Sequence, residues 1–394
     1  MEDFFPRIVE DIEHSLFMKN DNGNSYCIGS RTQDKYFFIS ERFLPDCLRM
    51  FTLMDGIHTL TEIKMLIEEG GTNGFDFDYA YSICSDNNLI SNDTTIRKAP
   101  LSEFELLYKT LVKVDISYLS ELSKNIKAPI FKLIVFLMTT TIFLGACVLI
   151  RRGIQIDWNF FLGNPIMVLL LLFTSTSSVL LHEFSHAFVA SRFGLKVEKL
   201  SITTVAYTSI GAYVRVPGIY FLKPLHRIVI WLAGVFMNTF LLSIGIFLIQ
   251  NYMGYISMIG TALVVSNFTL LYISIIPFYL SDGYFVMTTV LRVPNLRRNS
   301  LFNLKKILKE KKINNIGFLY VLYLLLSVIF TLYFIGKAIY QVGLDVFENI
   351  NNQVSPLAIL MNYKNIFIII GVSILGRLLY IKFMQKGTNN NIER

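Results

Sequence analysis

The chain has 394 residues and is 53% hydrophobic and 14% aromatic, but only 16% charged, where soluble domains carry about 25% charged residues. That composition argues against a wholly soluble protein, and the net charge of +7 fits cytoplasmic loop charge in a membrane protein better than a nucleic-acid footprint. The shortage of charge is uneven: residues 1–128 mix Asp, Glu, Lys, Asn and Gly, whereas apolar runs dominate from Pro129 onward.

The opening residues Met1-Glu2-Asp3-Phe4-Phe5-Pro6 lack the basic segment that precedes a signal-peptide core, so the N-terminal part is expected in the cytoplasm. Cys27, Cys47, Cys84 and Cys147 have no metal-type spacing and are expected to be buried small hydrophobes. Ser25–Gly29 and Tyr36–Ser40 read as strands, and Pro45–Met54 and Asp78–Asn87 as helices. Between those helices, Asp55-Gly56 marks a turn and Thr59 with Glu62 fits a capping box that opens a further helix. The pattern predicts a small α+β, winged-helix-like domain over residues 1–95. A DNA-binding role needs a basic stripe, and these helices and turns instead carry Asp46, Asp55, Glu62, Glu68 and Asp78, so no nucleic-acid partner is expected. The run Asp55-Gly56-Ile57-His58-Thr59-Leu60-Thr61-Glu62-Ile63 resembles the PqqD-like domains that recognise leader peptides of ribosomally made peptides. That resemblance implies capture of a peptide as an added strand. Residues 96–128 read as an amphipathic connector, with Leu101–Leu122 lying on the bilayer surface.

Residues 129–385 are expected to form a membrane domain. A spanning helix needs about 20 mostly apolar residues, and six segments qualify: Leu133–Ile150, Phe161–Ala190, Ile228–Ile249, Ile256–Leu280 with a continuation past Gly283, Phe318–Tyr340 and Ile366–Phe383. The fold class is therefore mainly α, a polytopic membrane protein with a small cytoplasmic α+β domain. The connector 291–316 carries eight Lys and Arg against one acid, Glu310, and belongs in the cytoplasm. Segment 191–227 and the C-terminal tail are also basic, whereas 341–363 holds Asp345 and Glu348 with no Lys or Arg. An even number of spans with both termini cytoplasmic satisfies these charges and places the protein in the cytoplasmic membrane; Arg151 and Arg152 alone dissent.

The second span contains His182-Glu183-Phe184-Ser185-His186. Residues i and i+4 share one helix face, so both imidazoles can ligate one Zn2+ while Glu183 acts as general base on a water. The bland alternative is a histidine pair satisfied inside a helix bundle. Ionisable residues within an apolar span are costly, however, and point to function by default. Catalytic zinc takes three protein ligands and one open position. Asp282, the one carboxylate between Glu198 and Glu310, stands at the end of the fourth span at matching depth; its other reading is a turn former in an Asp-Gly pair. Thr174 to Ser178 on the same span read as small residues for helix packing, and residues 196–216 as strands or a hairpin.

These residues resemble the site-2 protease family of intramembrane zinc metallopeptidases. Its His-Glu-x-x-His-Ala-x-x-Ala motif matches fully from His182 to Ala190, followed by Gly194. Its second motif, Asn-x-x-Pro-x-x-x-Leu-Asp-Gly, appears from Ser274 through Pro277 to Ser281-Asp282-Gly283, with Ser at the Asn and Leu positions. Ala233-Gly234-Val235-Phe236-Met237-Asn238 matches Ala-Gly-Pro-x-x-Asn without its Pro, and Gly211-Ala212-Tyr213-Val214 matches a Gly-Gly-Tyr-Val-like stretch. The resemblance implies peptide-bond hydrolysis in or beside the membrane, Asp282 as third zinc ligand, and substrate contacts at Asn238, Ser274, Gly211 and Tyr213. It also implies a β element near residues 196–216 that pairs with an unwound substrate. The expected partners are membrane lipids and a peptide or membrane-associated protein, foremost a small precursor peptide matured after leader recognition. The alternatives are cleavage of a membrane-tethered regulator, such as an anti-sigma factor, or a non-catalytic peptide-binding or export protein. Glu183 argues against the last, because a binder needs no base.

Overall fold

The computed structural model describes residues 4–18, 24–92, 108–154, 165–205, 209–300 and 315–351, apart from positions 32, 34, 72, 73, 279, 294, 295 and 298. The N-terminal part is an antiparallel meander of β1 (Ile12–Met18), β2 (Ser25–Ser30) and β3 (Lys35–Ser40), followed by α1 (Leu44–Leu53), α2 (Leu60–Gly70) and α3 (Phe77–Asp86). Strand β1 was not expected: Ile12-Glu13-His14-Ser15 does not alternate as β2 and β3 do, and pairing with β2 decides it. The alternation in β2 and β3 gives the sheet two apolar faces. Ile28 and Phe37 face the helices and join Cys47, Met50, Ile63, Ile67 and Cys84 in one core. Phe17, Cys27, Tyr36 and Phe38 face the other way and pack on Tyr220 and Phe221 of the C-terminal part.

The capping box forms as expected: Glu62 N donates to Thr59 Oγ1 at 3.2 Å, and Thr59 N donates to Glu62 Oε2 at 2.8 Å. Those bonds hold the Glu62 carboxyl below its ordinary range, the Thr59 backbone N–H first among them. Burial pushes the Cys47 thiol up to about 12, which suits a core hydrophobe rather than a reactive thiol.

The connector differs from its expectation. Strand β4 (Tyr108–Asp115) and helix α4 (Ser117–Asn125) replace one surface helix over Leu101–Leu122; residues 101–107 fall outside the described residues. β4 joins β5 (Lys199–Val205) and β6 (Ser209–Val214) in a second antiparallel sheet, ordered β4-β5-β6. The run Tyr108-Lys109-Thr110-Leu111-Val112-Lys113-Val114 carries β-branched residues at alternating positions. Helical amphipathicity was therefore the wrong period for this segment.

The remaining helices are α5 (Ala128–Arg152), α6 (Pro165–Arg192), α7 (Pro224–Asn251), α8 (Tyr255–Ile275), α9 (Asp282–Val290) and α10 (Asn315–Asn351). Among the described residues, α5, α7 and α8 are long and apolar enough to cross a membrane. The expected second and fifth spans fall on α6 and α10, and the sixth, Ile366–Phe383, lies outside the described residues. The hydroxyl run on α6 packs on α8: Thr174 and Ser175 bond Ser266 at 3.0 and 2.9 Å, and Asn267 donates to Ser178 at 3.0 Å.

One correction bears on the site. The fourth span does not run on past Gly283. It ends at Ile275, turns at Ile276-Pro277, and restarts as α9 with Asp282 as first residue. Proline lacks the N–H a continuing helix needs. Ser281 Oγ donates to Ile276 O at 2.6 Å, and Tyr323 of α10 donates to Pro277 O at 3.4 Å, so both ends of the turn are tied. Gly283 lies against the carbonyls of Ser274 and Ile275, where a Cβ would overlap the backbone. The turn therefore needs a residue without a side chain beside Asp282.

Candidate metal centre

Helix α6 presents His182 and His186 one turn apart, both buried. Their Nε2 atoms are 3.1 Å apart. Asp282 enters from the first turn of α9, with Oδ2 at 3.0 Å from His182 Nε2 and Oδ1 at 3.4 Å from His186 Nε2. Trp231 of α7 stacks on Phe285 of α9 with ring centroids 4.6 Å apart, which holds the Asp282 helix against the bundle. The three donors lie within 4.8 Å of one another, and no other such group of three occurs among the described residues.

Two donors bonded tetrahedrally to zinc at about 2.0–2.1 Å stand roughly 3.3 Å apart, close to the separations observed. The far sides of the rings agree. His186 Nδ1 donates to the carbonyl of Ile230 at 2.7 Å, which leaves Nε2 as its free lone pair. His182 Nδ1 lies 2.9 Å from Asn238 Nδ2, while Asn238 Oδ1 is buried with no partner among the described residues. The two ends of an amide have the same shape. With Oδ1 turned toward the ring it accepts Nδ1–H, the orphan oxygen is satisfied, and His182 Nε2 is freed to ligate. Gly234 of α7 packs directly under both imidazoles; a Cβ there would stand 2.6 Å from His186 Nε2 and closer still to His182. The donor set therefore fits a zinc ion in position, number and tautomer.

Glu183 sits beside His182 on α6, half-buried, and its Oε2 accepts the backbone N–H of Val214 at 2.8 Å. Val214 closes β6, whose residues Gly211 and Tyr213 pair with Thr203 and Ser201 of β5. Among the described residues β6 pairs on that side alone and is an edge strand that ends at Glu183.

The sequence-predicted residues thus divide. His182, Glu183, His186 and Asp282 converge. Asn238, expected at the substrate, is fully buried against His182 and is placed to orient a ligand. Gly211 and Tyr213 line the strand leading to Glu183, and Ser274 lies on the last turn of α8 with its carbonyl against Gly283. Sequence reasoning assigned no role to the Ile230 carbonyl, the Val214 N–H or Gly234. The first two are backbone groups with no side-chain signal. Gly234 was visible only within the Ala233-Gly234 motif.

A sequence model of Peptidase family M50 matches residues 168–376, more than half of the chain, from within α6 onward. No curated protein and no solved structure matches.

Proposed function

The chain belongs to peptidase family M50, the site-2 protease family, and from that premise we propose that it is a zinc endopeptidase cutting a peptide bond in or beside the membrane. The observation that carries this reading is the convergence of His182, His186 and Asp282 with Glu183 at the end of an edge strand. A zinc ion held by the three ligands supplies Lewis acidity toward the scissile carbonyl and acidifies water. Glu183 accepts a proton from the attacking water as its oxygen bonds the carbonyl carbon. It delivers that proton to the departing amide nitrogen as the C–N bond breaks, leaving a carboxylate and an amine. Ile230 and Asn238 fix the two imidazole rings. The free edge of β6 offers N–H and C=O groups to an extended substrate; a helical substrate hides its own amides until another strand can satisfy them.

The substrate in this reading is a small ribosomally made precursor peptide, recognised through its leader by residues 1–95 and passed to the membrane domain, 129–385. The protein is a multi-pass enzyme of about six spans in the cytoplasmic membrane, with both termini cytoplasmic. The docking of the N-terminal sheet on Tyr220 and Phe221, which follow β6, supports this division of labour. Cleavage of a membrane-tethered regulator is the second reading, on the same metal centre. The test is incubation of the purified chain with its metal, and of Glu183→Gln beside it, with candidate precursors carrying or lacking a leader. Cleavage by the wild type alone, faster with the leader, supports the proposal. Equal cleavage with and without the leader moves the regulator reading ahead, and no metal-dependent cleavage of any membrane peptide removes the enzymatic reading.

A further inference from the structure

Arg227 is the largest fully buried side chain of the described residues, 1% exposed, in the first turn of α7. Its Nη2 donates to the carbonyl of Phe17 at 3.2 Å, whereas Nε and Nη1 have no partner among the described residues. The guanidinium carbon stands 4.3 Å from the Phe17 ring centroid and 5.9 Å from that of Tyr220. No carboxylate among the described residues pairs with it. Arginine cannot shed its proton to escape the cost, and removing an ion from water without a counter-ion costs several kcal/mol. Its setting adds to the positive potential: the first turn of a helix is the positive end of its dipole, and Lys223 is a neighbour in sequence. Cation–π contact with Phe17 offsets part of this charge and none of the missing hydrogen bonds.

Arg227 lines a cavity of about 20 Å³ together with Phe17, Tyr220, Tyr284, Phe285, Thr288 and Thr289. The two threonine hydroxyls now bond the Phe285 carbonyl at 3.0 and 2.7 Å, and either can rotate to donate into the cavity. The space admits one or two oxygen-sized atoms, given about 10–15 Å³ of such volume for each water. That suits a planar carboxylate and is too small for an esterified phosphate.

We propose that the cavity beside Arg227 is a carboxylate-binding site, built where the N-terminal sheet meets α7 and α9. The guanidinium supplies the charge and two N–H donors, the threonines supply hydroxyls, and the aromatic walls exclude water from the pair. The carboxylate comes either from a peptide, as its C-terminus or an acidic side chain, or from a small free acid. The site stands apart from the metal centre: none of its lining residues is a ligand, and the inference holds whether or not the hydrolytic reading does.

The test uses the full chain in detergent. Thermal unfolding is followed against sodium formate, with bulky sodium isethionate holding ionic strength constant, for wild type, Arg227→Met and Thr288→Val. A saturable rise in the midpoint is expected for wild type, with formate affinity at least about tenfold weaker in Arg227→Met and weakened to a smaller degree in Thr288→Val. Should Arg227→Met fail to fold, the Thr288→Val titration decides alone. A short peptide as free acid and as C-terminal amide then separates the sources: a shift with the acid only assigns the site to a peptide terminus, and a shift with formate but neither peptide assigns it to a small free acid. No saturable response in wild type, or the same response in wild type and Thr288→Val, means that the cavity holds water only and overturns the proposal.

Discussion

The role of Asn238 shows how much chemistry turns on one atom. If its amide oxygen accepts His182 Nδ1–H, an aspartate in its place serves as well, because a carboxylate bonded to a ligating histidine is a common arrangement. Asn238→Asp should therefore keep one zinc per chain, whereas Asn238→Ala should weaken zinc binding about 10- to 100-fold; zinc titration against a competing chelator reads both. If the amide donates instead, both variants lose metal alike. Glu183→Gln is expected to retain zinc and lose about 10²- to 10⁴-fold in cleavage rate, measured on one peptide with metal content determined in parallel. A drop in metal content equal to the drop in rate would make Glu183 structural. Gly234→Ala places a methyl group against both imidazoles and should abolish stoichiometric zinc while α7 stays folded by circular dichroism.

Individual elements carry their own tests. Helix α2 depends on the Thr59–Glu62 box, and losing a threonine cap costs about 1 kcal/mol. Cys47, fully buried on the core face of α1 with its thiol raised to about 12, should resist maleimide at pH 8 until the N-terminal part opens. Thr59→Ala should then speed Cys47 labelling roughly fivefold, the factor that about 1 kcal/mol gives. The Glu62 carboxyl is held below its ordinary range by the same box. Its contribution is present above the unfolded pKa and fades as pH falls through the lower folded one. Wild type and Glu62→Gln should accordingly converge in labelling rate under acid, after correction for thiolate fraction; a constant ratio across the pH range would show that Glu62 ionisation adds nothing. The capping box was legible in the sequence because it is local. Strands β1 and β4 were not: β1 lacks alternation of its own and is decided by pairing with β2, and β4 owes its state to β5, a partner distant in the chain.

On the scale of the molecule, the N-terminal sheet has one face on its own helices and the other on Tyr220 and Phe221. Phe38→Ser with Tyr220→Ser removes the Tyr220 ring contacts with Phe17, Tyr36 and Phe38 without touching the metal ligands. Leader-dependent cleavage should fall while cleavage of a short leaderless peptide persists; equal loss of both would make the docking a matter of stability alone. The expectation that both termini lie in the cytoplasm rests on loop charge. Reporter fusions at residue 1 and residue 394 check it: both should report from the cytoplasmic side, and opposite sides would require an odd number of spans.

What the sequence determined by itself follows from short-range rules. Composition separated a charged N-terminal part from an apolar remainder. Helical spacing put His182, Glu183 and His186 together, and a single acid in a long apolar stretch singled out Asp282. What only the tertiary structure decided depends on groups far apart in the chain or without side chains. These are the break that makes Asp282 the head of a separate helix, the glycine that admits two imidazoles against α7, the carbonyl of Ile230 and the amide of Asn238 behind the rings, and the edge strand that ends on Glu183. A backbone carbonyl is the same at every residue, so only the fold can choose which one a histidine meets, and the burial of Arg227 without a counter-ion among the described residues became visible only when three distant segments closed around it.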